Sequence, residues 1–248
     1  LFLTMTELPE TADEWAAGVT LLLDKPLEWT SFQVVGMVKH NLRRNLKAKV
    51  KVGHAGTLDP KATGLLVVCT GKHTKRISEI QDAEKEYTGV IRIGSTRPSY
   101  DLETEIDARF PTGHITHEMI LDAARSLTGE MEQTAPIFSA KKVSGDRAYD
   151  LARKGKEVNL KPHRVTVSEF FITDIVSDDE GIDAHFRIVC SKGTYIRTLA
   201  FDLGQRLSNG AHLIALRRTR IGELNVNDAW QVDDFRKHLR GLDNPPSV

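Results

Sequence analysis

The chain has 248 residues, 40% hydrophobic and 27% charged, which suits a soluble globular protein with a sizeable core in one large domain or two small ones. No apolar run reaches the length of a membrane-spanning helix, and the acidic stretch from Glu7 to Glu14 lacks the layout of a secretion signal. Formal net charge is zero, yet Lys25 to Arg76 holds eleven Lys or Arg against two acids and Pro136 to Arg164 eight against three, so a polyanion meets two basic blocks rather than an average.

In chain order, residues 1–18 read as a poorly ordered leader with few packing residues. Val19 to Leu23 is a continuous apolar run closed by Asp24-Lys25-Pro26, the pattern of a buried strand. Ser31 is placed to cap a helix whose apolar positions are Phe32, Val35, Val38 and Leu42. A glycine-rich loop from Gly53 to Gly64 follows, then a second buried strand, Leu65 to Cys69. Tyr87 to Ile93 reads as a strand, Ile115 to Leu127 as a helix stopped by Gly129, and Arg147 to Arg153 as a short helix. Val165 to Ile175 is strand-like, and Ala184, Phe186, Ile188 and Cys190 alternate with period 2. Ile196, Leu199, Ala200, Leu203 and Leu207 form a helical stripe. A short strand, Leu213 to Leu216, and a helix, Val232 to Leu239, close the pattern. Strands and helices mix without regular βαβ alternation, so the fold class is α+β, with one catalytic domain the simplest organisation.

Several chemistries lack their signatures. Cys69 and Cys190 both sit in apolar runs and read as buried thiols, which suits a cytoplasmic location. No paired CxxC is present, and His114 and His117 have no further close ligands, so no metal is expected. Gly71-Lys72 follows a strand, but Leu66 stands where a P-loop needs its first glycine and His73 replaces the Ser/Thr. Catalysis is expected to rest on ordinary side chains with no cofactor.

The loop Gly53-His54-Ala55-Gly56-Thr57-Leu58-Asp59-Pro60 draws attention to Asp59. Its glycines allow close backbone approaches, and Pro60 biases Asp59 towards an extended conformation. As residues alone, the stretch fits either a positioned nucleophile or base, or an ordinary Asp-Pro turn.

Read together with Ala62-Thr63-Gly64, this loop resembles the catalytic motif of the tRNA pseudouridine synthase B (TruB) family. Six further stretches resemble that family in order: Leu21 to Pro26 with Thr30-Ser31, Lys85-Glu86-Tyr87, Phe138 to Lys142, Arg147-Ala148-Tyr149 through Gly155, Ser191 to Thr198, and Gly210-Ala211-His212-Leu213. The resemblance implies a pseudouridine-synthase fold: a mixed, largely antiparallel sheet flanked by helices, with a central active-site cleft. It implies conversion of the uridine at position 55 in the tRNA T-loop to pseudouridine, breaking the N1–C1′ bond and rejoining the turned base through C5. Asp59 matches the family's catalytic aspartate, with attack on C1′, proton abstraction and addition to the base all open to it. Arg197 matches the arginine that pairs with this aspartate; lying off the apolar stripe of its helix, it is not expected in the core. Tyr87 matches the aromatic on the flipped base and is a candidate for proton transfer at C5. Tyr195 and Leu216 match residues of the uracil pocket, and His54 a histidine that touches RNA near the displaced nucleotide. Lys25 and Asp101 join these as substrate-binding candidates, although Ser95 to Asp101 departs from the family's usual stretch.

Twenty-four residues follow Leu224, too few for the C-terminal RNA-binding domain of many relatives. The expected division is therefore a leader (1–18), a catalytic domain (19–224) and a short extension (225–248). The T-loop and T-arm of tRNA are the expected partner of a monomer, without a guide RNA or a membrane. The alternatives are a non-catalytic tRNA-folding chaperone and a synthase acting on another RNA.

Overall fold

The computed structural model of the chain describes residues 8–47, 49–138, 142–143, 146–147 and 160–241. They form two compact units, one drawn from the chain up to Lys85 and from Arg217 onward, the other from Glu86 to Leu216. The Phe138–Lys142 motif beyond Phe138 lies outside the described residues, apart from the backbone of Lys142. So does the Arg147–Gly155 stretch with its expected helix, apart from the backbone of Arg147.

The first unit opens with α1 (Ala12–Ala17), capped by a reciprocal Thr11–Glu14 box. Within the stretch expected to be a poorly ordered leader with few packing residues, Trp15 is one such residue, 0% exposed. Its indole N–H donates to the Pro9 carbonyl at 2.9 Å and its ring meets Phe235 edge-on at 6.5 Å. Next come β1 (Thr20–Lys25), α2 (Ser31–Asn45), β2 (Val52–Ala55), β3 (Ala62–Thr70) and α3 (Ile77–Asp82). Antiparallel pairing sets Leu21 opposite Val68 and Leu23 opposite Leu66. Those four face Val34, Val35, Val38 and Leu42 of α2, while Leu22, Leu65, Val67 and Cys69 face Ala55 and Ile80. Both faces are covered, which is why β1 and β3 are continuous apolar runs instead of alternating ones. The cap of α2 is Thr30, boxed with Gln33, not Ser31. Phe32 falls off the buried stripe and is 75% exposed.

The second unit holds β4 (Lys85–Ile93, less its first residue), β5 (Ser95–Thr96), β6 (Ala108–Arg109), α4 (His117–Ser126) and β7 (Gly129–Gln133). A short pair, β8 (Lys142–Val143) and β9 (Asp146–Arg147), precedes β10 (His163–Asp178), β11 (Gly181–Cys190) and α5 (Ile196–Arg206). Its strands lie in the order β4-β11-β10-β7, with β10 antiparallel to both its neighbours. Ala184, Phe186 and Ile188 are buried, whereas His185 and Arg187 are half-buried, as the period-2 pattern predicts.

β12 (Ala211–Ile221) gives its first half to the second unit and its last five residues to the first. Predicted to stop at Leu216, it continues because each arginine in Arg217-Arg218-Thr219-Arg220 finds acceptors. Arg217 binds Asp24 at 2.6 Å, Arg220 binds Glu84 at 3.0 Å, and Arg218 reaches main-chain carbonyls. β13 (Leu224–Asn225) turns back on β12, and β14 (Trp230–Gln231) runs parallel to β1. In α6 (Val232–Gly241), Val232, Phe235 and Leu239 join the cluster that holds Trp15 and the apolar face of α2. Residues 230–239 are thus packed into this core. The architecture is mixed α+β with a mixed, largely antiparallel sheet, the β1–β14 pair being parallel.

Candidate active site

Asp59 lies in the connection between β2 and β3, and the backbone on either side of it is pinned. The Ser31 hydroxyl accepts from the Leu58 N–H at 2.8 Å and donates to the Leu58 carbonyl at 3.0 Å. Beyond the aspartate, Ala62 N–H donates to the Asp59 carbonyl and Glu28 N–H to the Pro60 carbonyl, at 3.0 and 2.9 Å. Lys61 and Glu28 add an ion pair at 2.7 Å, largely in solvent and so of small worth. Gly56 has φ +89° and Gly64 φ +102°, and a Cβ on Gly64 would lie 2.3 Å from the Arg218 carbonyl oxygen. Leu58 is buried and Asp59 half-buried, so a fixed backbone presents a partly accessible carboxylate.

Two buried cations lie beneath this loop. Lys25 is 0% exposed; its ammonium donates to the Pro26 carbonyl at 2.9 Å and the Trp29 carbonyl at 2.6 Å. Burial pulls its pKa down to about 8, against the attraction of Asp59. An ammonium and a carboxylate in range favour each other's charged forms. Arg218, 1% exposed, donates from Nε to the Leu65 carbonyl at 2.8 Å and from Nη2 to the Gly56 carbonyl at 3.1 Å. Burial also holds His54 below the usual imidazole range, the Gly56 backbone opposing and Arg218 reinforcing the shift. The Nδ1 of His54 is buried and has no hydrogen-bond partner among the described residues.

In the second unit Arg197, on the first turn of α5, is 3% exposed, contrary to the expectation that it stays out of the core. It is buried through polar partners: its Nε lies 3.6 Å from the Asp101 carboxylate and its Nη1 donates to the Ser99 carbonyl at 3.2 Å. Asp101, expected to contact RNA, is itself 5% exposed and also accepts from Glu103 N–H. The motif His212 secures the same stretch, with Nδ1 3.1 Å from the Ser95 carbonyl and Nε2 accepting from Arg97 at 3.2 Å. That pattern assigns the proton to Nδ1 of a neutral ring. Tyr195 caps α5, and its main chain is gripped by the Gln133 amide, with bonds of 2.7 and 3.1 Å. Tyr87 is 9% exposed on β4. Gly89 and Ala215 touch closely enough that a Cβ on Gly89 would overlap the Ala215 carbonyl, so Tyr87 and Leu216 sit on adjacent strands.

The first unit therefore gathers Lys25, His54 and Asp59, and the second gathers Asp101 with Arg197 and Tyr87 near Leu216. Lys25 and Asp101, expected to bind substrate, are enclosed and make polar contacts with the protein's own groups. Ser31, Gln133 and Arg218 were missed. The signal for Ser31 was its place beside Thr30, a second hydroxyl at a helix start that needs only one cap. Among the described residues no three His, Cys, Asp or Glu side chains gather as a metal site requires, and no helix is long and apolar enough to cross a membrane.

Solved structures share this fold. A chain of a Cbf5-Nop10-Gar1 complex superposes with TM-score 0.68 and 26% identity over 98% of this chain and 60% of that one. An H/ACA RNP bound to a substrate RNA containing 2′-deoxyuridine gives 0.66 and 25%, over 97% and 62%. The chain thus spans about three fifths of the length of these solved chains, and the fold they share with it is that of the pseudouridine synthases. In sequence, the model of the TruB family pseudouridylate synthase N-terminal domain matches residues 43–196, and that of the tRNA pseudouridylate synthase B C-terminal domain matches 197–244. TRNA pseudouridine synthase B of Flavobacterium johnsoniae is 50% identical over 93% of this chain and 100% of its own length. That of Bacteroides fragilis strain YCH46 is 53% identical over 90% and 94%. The chain belongs to the TruB family of pseudouridylate synthases, and is an isomerase. The two family models meet at 196/197.

Proposed function

We propose that the chain converts the uridine at position 55 in the T-loop of tRNA to pseudouridine, with Asp59 as the catalytic carboxylate. The observation that carries this reading is a half-buried carboxylate on a loop pinned on both sides, within the field of a buried ammonium. The chain is also half identical to curated tRNA pseudouridine synthase B proteins along nearly its whole length.

A uridine stacked in a folded loop offers neither C1′ nor C5 to a side chain, so the reading requires base flipping, at a cost of a few kcal/mol. Tyr87, Tyr195 and Leu216 are assigned to hold the everted uracil, His54 to contact the RNA beside it, and Arg197 to keep the working carboxylate ionised. The N1–C1′ bond breaks, the uracil turns, and C5 bonds to C1′. The C5 proton leaves, with the Tyr87 hydroxyl as the candidate relay, and N1 regains a proton. Atoms and electrons balance within one nucleotide, so no cofactor enters. Exposed Lys39, Arg43, Arg44, Lys49, Lys51 and Lys75 supply sequence-independent attraction to phosphates, making binding strongly salt-dependent. A monomer in the cytoplasm, acting on tRNA without a guide RNA, completes the proposal.

The test is tritium release from C5-labelled uridine in tRNA transcripts. Asp59→Asn should lower release by about a thousandfold or more while tRNA affinity changes only a few-fold. Full release from a transcript carrying cytidine at position 55, or activity on ribosomal RNA alone, sinks the proposal.

A further inference from the structure

We infer that Arg218 is a positioning residue for the reaction: from β12 it braces both ends of the loop that carries Asp59, an inference that rests on Asp59 being the catalytic carboxylate. The guanidinium donates to the Gly56 carbonyl, where the chain leaves β2, and to the Leu65 carbonyl, inside β3. A guanidinium is planar and its donors point in fixed directions, so one side chain sets the separation and the tilt of two peptide groups nine residues apart. An ammonium on a flexible stem does not impose that geometry.

One glycine of the loop is explained by the same residue: a Cβ at Gly64 would stand 2.3 Å from the Arg218 carbonyl oxygen, whereas one at Gly56 would only touch Arg218 Nη1 at 3.4 Å, and it is the φ of +89° that calls for glycine there. Gly56, Gly64 and Leu65 thus meet one arginine, by side chain at two of these positions and by backbone at Gly64. At 1% exposure the guanidinium is out of reach of RNA phosphates, so its charge serves the interior. Burying a charge is costly, and an apolar side chain would fill a buried strand position without that cost. What the arginine adds is fixed loop geometry. Displacing a reacting group by about 1 Å costs about a hundredfold in rate.

The experiment compares wild type, Arg218→Ala, Arg218→Lys and Asp59→Asn by single-turnover tritium release from C5-labelled tRNA, with tRNA affinity measured separately. Arg218→Ala should lose about a hundredfold in rate with affinity within about threefold, and added guanidinium ion should restore part of the loss. Arg218→Lys, able to satisfy one carbonyl well but not both, should fall between. Should Arg218→Ala not fold, Arg218→Lys decides: an intermediate rate with unchanged affinity supports the bracing role, and a wild-type rate overturns it. A folded Arg218→Ala within about threefold of the wild-type rate overturns it, as does a loss that guanidinium cannot rescue. Asp59→Asn separates the two failures. If it keeps activity, the catalytic assignment itself falls; if it is dead while Arg218→Ala is fast, only the bracing role falls.

Discussion

Gly64→Ala should be among the most damaging single-methyl additions in the first unit, while Gly36→Ala should be harmless or helpful. Gly64 has φ +102°, and its new Cβ would lie 2.3 Å from the Arg218 carbonyl oxygen and 2.8 Å from the Arg218 amide nitrogen. Both obstacles are main chain of the neighbouring strand, so no rotamer change relieves them. An L-residue forced to such a φ costs about 1–3 kcal/mol. Separating β3 from β12 by the roughly 1 Å needed for normal contact weakens ladder hydrogen bonds worth about 1 kcal/mol each. The expected loss is about 3–5 kcal/mol, a large part of the roughly 5–15 kcal/mol that holds a domain together. At Gly36, inside α2, a Cβ meets nothing within 4 Å. There alanine should add about 0.5–1 kcal/mol. Trp15, Trp29 and Trp230, the chain's three tryptophans, all lie in the first unit. Urea unfolding followed by their fluorescence therefore reports this unit. A Gly64→Ala midpoint corresponding to less than about 1 kcal/mol, or equal damage at Gly36, refutes the account of the close approach.

Ser31→Ala strips both partners from the buried Leu58 peptide and should cost about 1–3 kcal/mol in urea unfolding, with a fall of about tenfold or more in tritium release. Unchanged release would remove Ser31 from the support of Asp59. Lys25 supplies a pH test. Its folded pKa, about 8, is below the ordinary 10.5, so between these values the unfolded chain holds a proton that the folded chain has lost. Stability from this group therefore rises with pH across that window, by at most about 3 kcal/mol, and is at its lowest below about pH 8. The difference in urea midpoint between wild type and Lys25→Met should shift in favour of wild type from about pH 7.5 to about pH 9.5. A constant difference would show that the ammonium is not buried as described.

Where burial imposes a pattern, the sequence carried the fold plainly. Leu21 to Leu23 and Leu65 to Cys69 had to be apolar without interruption because helices and strands cover both of their faces. Ala184, Phe186 and Ile188 had to alternate because one face of β11 is less enclosed. Trp15 escaped notice because one aromatic in a six-residue helix has no period to detect. Lys25 and Asp101 entered as substrate-binding candidates beside the resemblance, and nothing in the sequence marks how far the protein's own polar groups enclose each charge. Arg218 was invisible because arginine beside arginine reads as surface, and only the carbonyls facing it reveal its place. The Asp59 loop was legible as a motif, but its supports come from residues far away in the chain.

Trp15 near one end of the described chain and Phe235 near the other close a single apolar cluster, with residues 86–216 forming a separate compact body between them in sequence. During synthesis the intervening body can complete its own contacts early. The first unit must wait with the cluster of Leu21, Leu23 and Val34 only partly covered until the ribosome has delivered Val232, Phe235 and Leu239 of α6. A growing chain of this design is thus most exposed to aggregation late, and the bracing of the Asp59 loop through Arg218 is among the last features it can acquire.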